Sequence, residues 1–200
     1  MSAPRYLVNE IFYSLQGEGV RAGTPSLFLR FARCNQACAQ ETHRFDCDTE
    51  FVSGRWLETG ELLAELRAAG PRCRWIVLTG GEPALQVDPP LIAALHAAGY
   101  ALAIETNGSV ALPAGLDWVT VSPKVAEHAI RQRRADEVKY VRGHGQAIPE
   151  TVVEADHYLI SPAFDGPELD RRALEWCIRL VKENPPWRLS LQQHKLWGVR

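Results

Sequence analysis

Apolar and polar positions along this chain alternate between short apolar runs and longer amphipathic stretches. Ser26 to Ala32 (SLFLRFA) reads as a buried strand with one charge, Arg30, inside it. Gly60 to Ala69 spaces Leu62, Leu63 and Leu66 as a helix that Gly70-Pro71 stops. Trp75 to Thr79 is a short apolar strand ending in Gly80-Gly81, and Pro90 to Ala98 is a second helix closed by Gly99. Tyr100 to Glu105, Trp118 to Ser122, Lys139 to Arg142, His157 to Ser161 and Trp187 to Leu191 read as further strands. Leu169 to Lys182 predicts a long amphipathic helix with Leu174, Ile178 and Val181 on one face. Repeated strand–helix units predict an α/β fold with a mostly parallel sheet. Polar or glycine-rich residues follow strand after strand: TGGEP, ETNG, SPK, SP and QQHK. In barrel-like α/β folds the site gathers at the C-terminal ends of strands, so all five segments are expected around one mouth. About six such units are too few for an eight-unit barrel, and a partial, open TIM-like barrel fits instead.

Composition narrows the function classes. The chain has 200 residues, which suits one domain over 1–200 with a sizeable core. Its 22 basic and 24 acidic side chains leave a net charge of −2. No electrostatic footprint for nucleic acid or a membrane surface follows from that balance. No apolar run is long enough to span a bilayer, and no repeat or low-complexity tract stands out. The run Arg131, Arg133, Arg134 is followed by Asp136 and Glu137 and reads as a solvated helix face. The start, MSAPRYLVNE, lacks the apolar core of a secretory signal, so the reducing cytoplasm is the expected compartment.

The candidate chemistry lies between Arg33 and Thr49. Cys34, Cys38 and Cys47 follow a C-x3-C-x8-C spacing. Three clustered thiols without an obvious fourth suggest a metal site with an open position, the usual mark of catalysis. A [4Fe–4S] cluster held by three thiolates keeps one iron available to another ligand. The alternative is a closed zinc shell of Cys34, Cys38, His43 and Cys47. Cys73 and Cys177 sit in apolar surroundings (PRCRW, LEWCIRL) and read as buried small hydrophobes. Gly80-Gly81 in TGGEP lets the backbone approach a ligand closely, or else makes an ordinary strand-to-helix turn.

These segments together resemble the radical S-adenosylmethionine enzymes, and within them the 7-carboxy-7-deazaguanine synthases. The resemblance runs nearly end to end: NEIFYSLQGEG at Asn9 to Gly19, TPSLFLRFARCNQAC at Thr24 to Cys38, CDT at Cys47 to Thr49, TGGEP, IETNG at Ile104 to Gly108, VSPK at Val121 to Lys124, and RLSLQQHK at Arg188 to Lys195. LQGEG and SLQxHK are more specific than the three-cysteine motif, which the whole superfamily shares. The resemblance implies a radical S-adenosylmethionine core that converts 6-carboxy-5,6,7,8-tetrahydropterin into 7-carboxy-7-deazaguanine with loss of ammonia, on the way to queuosine and other 7-deazapurines. It further implies a [4Fe–4S] cluster, S-adenosylmethionine that is regenerated, Mg2+ on the substrate carboxylate, a flavodoxin-type electron donor and a homodimer. A glycyl-radical activating enzyme shares the cluster and GGEP, and a non-catalytic zinc module would use His43.

Carried onto this chain, the resemblance assigns Cys34, Cys38 and Cys47 to the cluster and Thr49 to magnesium. Asp46 and Asp48 flank Cys47 on the cofactor side, and Asp48 can also reach magnesium through water. Gly80, Gly81 and Glu82 would meet the aminoacyl end of S-adenosylmethionine, with Glu82 accepting from its ammonium group. Asn107 and the Ser122-Pro123-Lys124 turn would meet the ribose or carboxylate, and Ser161 the adenine. Leu15, Gln16, Gly17 and Glu18 would face the pterin, Glu18 through a charge-assisted contact. Arg30 must be paired to be tolerated inside an apolar strand, by the substrate carboxylate or by a buried acid. Thr79, His194 and Arg200, the last through a terminal carboxylate, complete the substrate contacts expected. One departure is plain: superfamily members usually space these cysteines C-x3-C-x2-C, so six residues look inserted within 39–46, in a polar stretch suited to a solvent loop. A second is Ser161-Pro162-Ala163-Phe164, which matches the adenine segment only loosely.

Overall fold

The computed structural model describes residues 4–36, 38, 50–165 and 168–200. Chain order is β1 (Arg5–Leu15), β2 (Pro25–Phe31), β3 (Arg55–Glu58), α1 (Thr59–Ala69), β4 (Trp75–Gly80), α2 (Pro89–Ala97), β5 (Ala101–Thr106), β6 (Trp118–Val121), β7 (Arg134–Arg142), β8 (Glu154–Pro162), the hairpin β9 (Phe164–Asp165) and β10 (Glu168–Leu169), α3 (Arg171–Glu183), β11 (Trp187–Leu189) and α4 (Gln193–Trp197). Nine strands form one open sheet in the order β11-β8-β7-β6-β5-β4-β2-β1-β3. From β11 to β2 every neighbour is parallel, while β1 runs antiparallel to both β2 and β3. This is the open, barrel-like α/β architecture expected, with an antiparallel margin added at one side.

The helices begin where their caps dictate. Glu58 and Glu61 form a reciprocal capping box at the start of α1. The Asp88 carboxylate accepts from Leu91 N at 2.9 Å, and Pro89-Pro90 fill the first turn of α2, where a missing N–H costs nothing. Asp170 accepts from Arg172 N at 2.8 Å and Ala173 N at 3.1 Å to start α3. The strands alternate faces. Ile76, Leu78, Leu102 and Ile104 turn outward into a core shared with Leu62 and Leu66 of α1 and with Leu91 and Leu95 of α2. Val77 and Ala103 turn inward and pack with the stacked rings of Phe12 and Phe28, 4.9 Å apart, making an apolar floor inside the curved sheet. A separate core of Val138, Tyr140, Ile160 and Cys177 lies beneath α3.

Several expectations shift. Arg5–Leu15 is an eleven-residue strand, although Asn9, Glu10 and Ser14 break its apolar alternation. The buried face of α3 is Ala173, Cys177 and Leu180, one position away from the predicted stripe, and Ile178 is 40% exposed. Arg131 and Arg133 lie in a loop and Arg134 opens β7, so that basic run is not a helix face. QHKLW forms the short helix α4 and does not simply trail a strand. The 39–46 insertion lies outside the described residues. Among the described residues no helix is long and apolar enough to cross a membrane.

Candidate active site

A cavity of about 690 Å³ opens on the inner face, over the Phe12–Phe28 floor. Most of the predicted site residues line it together: Leu15, Gln16, Gly17, Glu18, Arg30, Cys34, Cys38, Thr79, Gly80, Gly81, Asn107, Ser122, Lys124, Ser161, His194 and Arg200. Pro123 and Glu82 do not line it. Asp46, Cys47, Asp48, Thr49 and His43 lie outside the described residues. Among the described residues no three His, Cys, Asp or Glu side chains are grouped to hold a metal ion.

One end of the cavity is built where β2 and β4 finish side by side. Gly81 N donates to Phe31 O and Glu82 N to Arg33 O, both at 3.0 Å, so the turn after β4 is laced to the chain entering the cysteine segment. The two glycines are required by this closeness. Gly80 has φ +111°, and a Cβ there would stand 2.2 Å from Phe31 O. A Cβ on Gly81 would stand 2.0 Å from Arg33 O and 3.1 Å from the Cys34 Cβ. The chain itself, rather than only a ligand, therefore approaches this glycine pair. Arg33 adopts φ 72°, a conformation uncommon outside glycine, at the point where the chain turns into Cys34. Gln36 N donates to Cys34 Sγ at 3.4 Å, the kind of N–H contact that stabilises a metal-bound thiolate. Cys34 and Cys38 share the cavity with Gly80 and Gly81, an arrangement that fits two of three thiolates beside a cofactor pocket.

Glu82 is fully buried behind this wall. Its carboxylate accepts from Thr106 Oγ1 and Asn107 N at 2.7 Å each and from Ala84 N at 3.0 Å. Burial pushes its carboxyl above the usual carboxylate range, and the three donors pull it partly back. The side chain thus ties the turn after β4 to the end of β5. Asn107, fixed through its backbone, donates from Nδ2 to Asn35 Oδ1 at 3.0 Å, and Asn35 Nδ2 donates to Ser109 Oγ at 2.9 Å. Lys124 donates to Ser122 Oγ at 3.2 Å on the neighbouring strand end.

The other end is polar and charged. The loop after β1 closes on itself through Gln16 N to Thr24 O, 2.9 Å, and Gly23 N to Gln16 O, 2.8 Å, and turns inward. Gln16 Nε2 donates to Glu105 at 2.7 Å, and Gln192 Nε2 donates to Glu18 at 2.9 Å. Lys139 pairs directly with Glu18 and stands 3.9 Å from Glu105, with its own side chain only 5% exposed. Burial alone would raise Glu18, but the Lys139 ammonium and the Gln192 and Lys139 hydrogen bonds hold its carboxyl down to about 2. Burial raises Glu105, which Lys139 only partly offsets. Lys139 itself, despite its burial, is held firmly cationic by the carboxylates around it. His194 lies over Gly17, where a Cβ would come 2.0 Å from its Nδ1. Arg30 meets Glu10 across the β1–β2 pair, Nε to Oε1 at 3.4 Å, so an acid stands beside it on the neighbouring strand, half-buried and not the fully buried acid that was one of the two partners expected.

Sequence reasoning did not single out Glu105, Lys139 or Gln192. A signal existed for Lys139: it is an ionisable residue in an apolar strand, the same reason that flagged Arg30. Its pairing with Glu18 joins residues 121 positions apart, which no local pattern reveals.

No protein-family model matches the chain. Among curated proteins it is 44% identical to the 7-carboxy-7-deazaguanine synthase of Bradyrhizobium diazoefficiens, over 98% of this chain and 99% of that one. It is 42% identical to the enzyme of the same name from Bacteroides thetaiotaomicron, over 96% and 98%. It is 41% identical to that of Burkholderia multivorans, over 97% and 99%. The crystal structure of QueE from Escherichia coli superposes with a TM-score of 0.73 at 26% identity, covering 95% of each chain.

Proposed function

The chain belongs to the 7-carboxy-7-deazaguanine synthase family, and on that footing we propose that its cavity contracts the ring of 6-carboxy-5,6,7,8-tetrahydropterin to 7-carboxy-7-deazaguanine with release of ammonia. The observation that carries this reading is the shared cavity: Cys34, Cys38, Gly80 and Gly81 line it together with Glu18, Arg30 and His194. The residues that the resemblance assigns to the cofactor and to the pterin thus line one cavity, together with the apolar rings of Phe12 and Phe28. A [4Fe–4S] cluster and S-adenosylmethionine, when bound, supply the electron and the radical chemistry that start the reaction. Cys34 and Cys38, with Cys47, would hold the cluster, and Gly80 and Gly81 would leave backbone room for the aminoacyl group. Ser122, Lys124, Asn107 and Ser161 would position the nucleoside part.

At the substrate end, Glu18 kept ionised by Lys139 is suited to the guanidine-like edge of a pterin through charge-assisted hydrogen bonds. Gln16 is fixed by three bonds of its own, from its Nε2 to Glu105 and onto its Oε1 from Gly17 N and Glu18 N, so it presents a preset shape with little ordering left to do. Arg30 offers a cation for the substrate carboxylate. Phe12 and Phe28 lie beneath, where a flat ring would cover apolar surface. Thr49 with Mg2+ on that carboxylate, a flavodoxin-type electron donor, a homodimer and a cytoplasmic setting are the finer parts of this proposal, supported by the family alone.

The test is direct. Anaerobically reconstituted protein, given the carboxylated tetrahydropterin, S-adenosylmethionine, magnesium and a reductant, should yield 7-carboxy-7-deazaguanine by mass spectrometry. A fully loaded cluster without that product would overturn the proposal. Turnover of a protein glycyl site instead would assign an activating enzyme.

A further inference from the structure

Arg30 is not alone with Glu10. The Arg200 guanidinium pairs with the other oxygen of the same carboxylate. Glu10 therefore stands between two arginines, and both of them line the cavity. The two contacts differ in kind. Arg200 makes a hydrogen-bonded ion pair, whereas Arg30 Nε is buried and makes no hydrogen bond, 3.4 Å from Glu10 Oε1. Glu10 is thus spent mainly on Arg200. Among the described residues Glu10 is the one acid paired with Arg30.

Arg200 is held in place independently of that charge. Its guanidinium lies 4.7 Å over the Phe12 ring, and its backbone oxygen accepts from Ser14 Oγ at 2.7 Å. Val199 N donates to His194 O at 3.1 Å, which fixes the chain just before it. The Arg200 side chain is nevertheless 68% exposed, so it adds little to the core.

We propose that Arg200 tunes the anion site: by taking up the charge of Glu10, it leaves the Arg30 cation for the carboxylate of an incoming ligand. This rests on the reading of Arg30 given above. Without Arg200, Glu10 would turn wholly to Arg30 and would oppose the ligand's carboxylate across one guanidinium. Two like charges at such range in a partly exposed site cost about tenfold in affinity once solvent screening is counted.

The test is a cycle of Arg200→Gln, Glu10→Gln and the double variant, each as cluster-loaded protein with S-adenosylmethionine. Kd is read for the carboxylated tetrahydropterin and for the same pterin lacking its carboxylate. Arg200→Gln should weaken the carboxylated pterin about tenfold and leave the other within about twofold. The double variant should return to within about threefold of the parent, because the opposing charge is gone. The Arg200→Gln penalty should largely vanish in 1 M salt, where the screening length is about 3 Å. An unchanged Kd in Arg200→Gln, or a loss that the second substitution and salt leave in place, would overturn the inference and leave the proposed function standing. A parent protein that binds both pterins alike would remove the role of Arg30, and this inference with it.

Discussion

Lys139 and Glu18 form a buried ion pair inside the cavity, and the same ammonium stands 3.9 Å from Glu105. One cation thus serves two carboxylates, and the three residues come from three different segments of the chain. Removing one member of such a pair strands a buried charge, at a cost of about 3 kcal/mol or more. Lys139→Met should lower Tm by roughly 10 °C for a protein of this size. It should also weaken pterin binding, because Glu18 would no longer be fixed as the ion. A variant with parental Tm and parental Kd would remove the pair from both roles.

The same pair sets an acid limb to stability. Glu18 is held near 2 in the folded chain against an ordinary 4.5, so its contribution is present above about pH 4.5 and is lost as pH falls toward 2. Glu82 and Glu105 are shifted upward by burial and act with the opposite sign: they cost stability near neutrality and are relieved by acid. Glu18→Gln isolates the first effect. Its Tm should fall less steeply than the parent's between pH 4.5 and 2. Parallel curves would show that Glu18 is not the depressed group.

Gly81 is the position where side-chain volume should cost cofactor loading most directly. A Cβ there meets Arg33 O at 2.0 Å and the Cys34 Cβ at 3.1 Å. Gly81→Ala should push the Cys34 backbone away, with a stability loss of about 2 kcal/mol. Iron per chain after anaerobic reconstitution should drop well below the parent's. Full iron in this variant would show that Cys34 does not depend on the close approach.

Glu82→Gln tests the bracket between β4 and β5. Gln keeps one acceptor oxygen for three donors and turns an amide N–H toward one of them, leaving a buried donor unsatisfied at a cost of about 1–3 kcal/mol. The expected readout is a lower Tm with pterin Kd within about twofold of the parent. A specific loss of S-adenosylmethionine binding at unchanged Tm would instead make Glu82 a direct cofactor contact.

Gly17→Ala acts first on His194. The new methyl would overlap the imidazole, whose Nδ1 stands 2.0 Å from the Cβ position, and would swing the ring off the cavity wall. The pterin Kd should rise about tenfold while S-adenosylmethionine binding stays near the parental value. Equal loss of both ligands would indicate a general collapse of the loop.

The parallel strands and their helices were legible because each is a continuous apolar run or a spaced amphipathic stretch, and their lengths leave few ways to pack. β1 was not, because Glu10 and Ser14 are polar and find their partners, Arg30 and Arg200, only in distant or neighbouring segments of the folded chain. The face of α3 shifted by one position because Ala173 and Cys177 are small enough to pack closely against the sheet, a choice that hydrophobicity alone does not rank. Within the site, Glu18 and Arg30 stood out as residue types, but Lys139, Glu105 and Gln192 emerge only when distant segments meet. The glycine pair is legible as a close backbone approach, but that Phe31 and Arg33 press against it emerges only from the pairing of β2 with β4, while both glycines also line the cavity.

The most direct measurement is the electron paramagnetic resonance spectrum of the reduced, anaerobically reconstituted protein, with iron and zinc counted per chain, before and after adding S-adenosylmethionine. About four irons per chain and a spectrum that changes when S-adenosylmethionine is added are the expected result, since three thiolates leave one iron open to it. Zinc at one per chain with no iron–sulfur signal after reconstitution would mean a closed shell at Cys34 and Cys38, and would contradict the catalytic reading of this cavity.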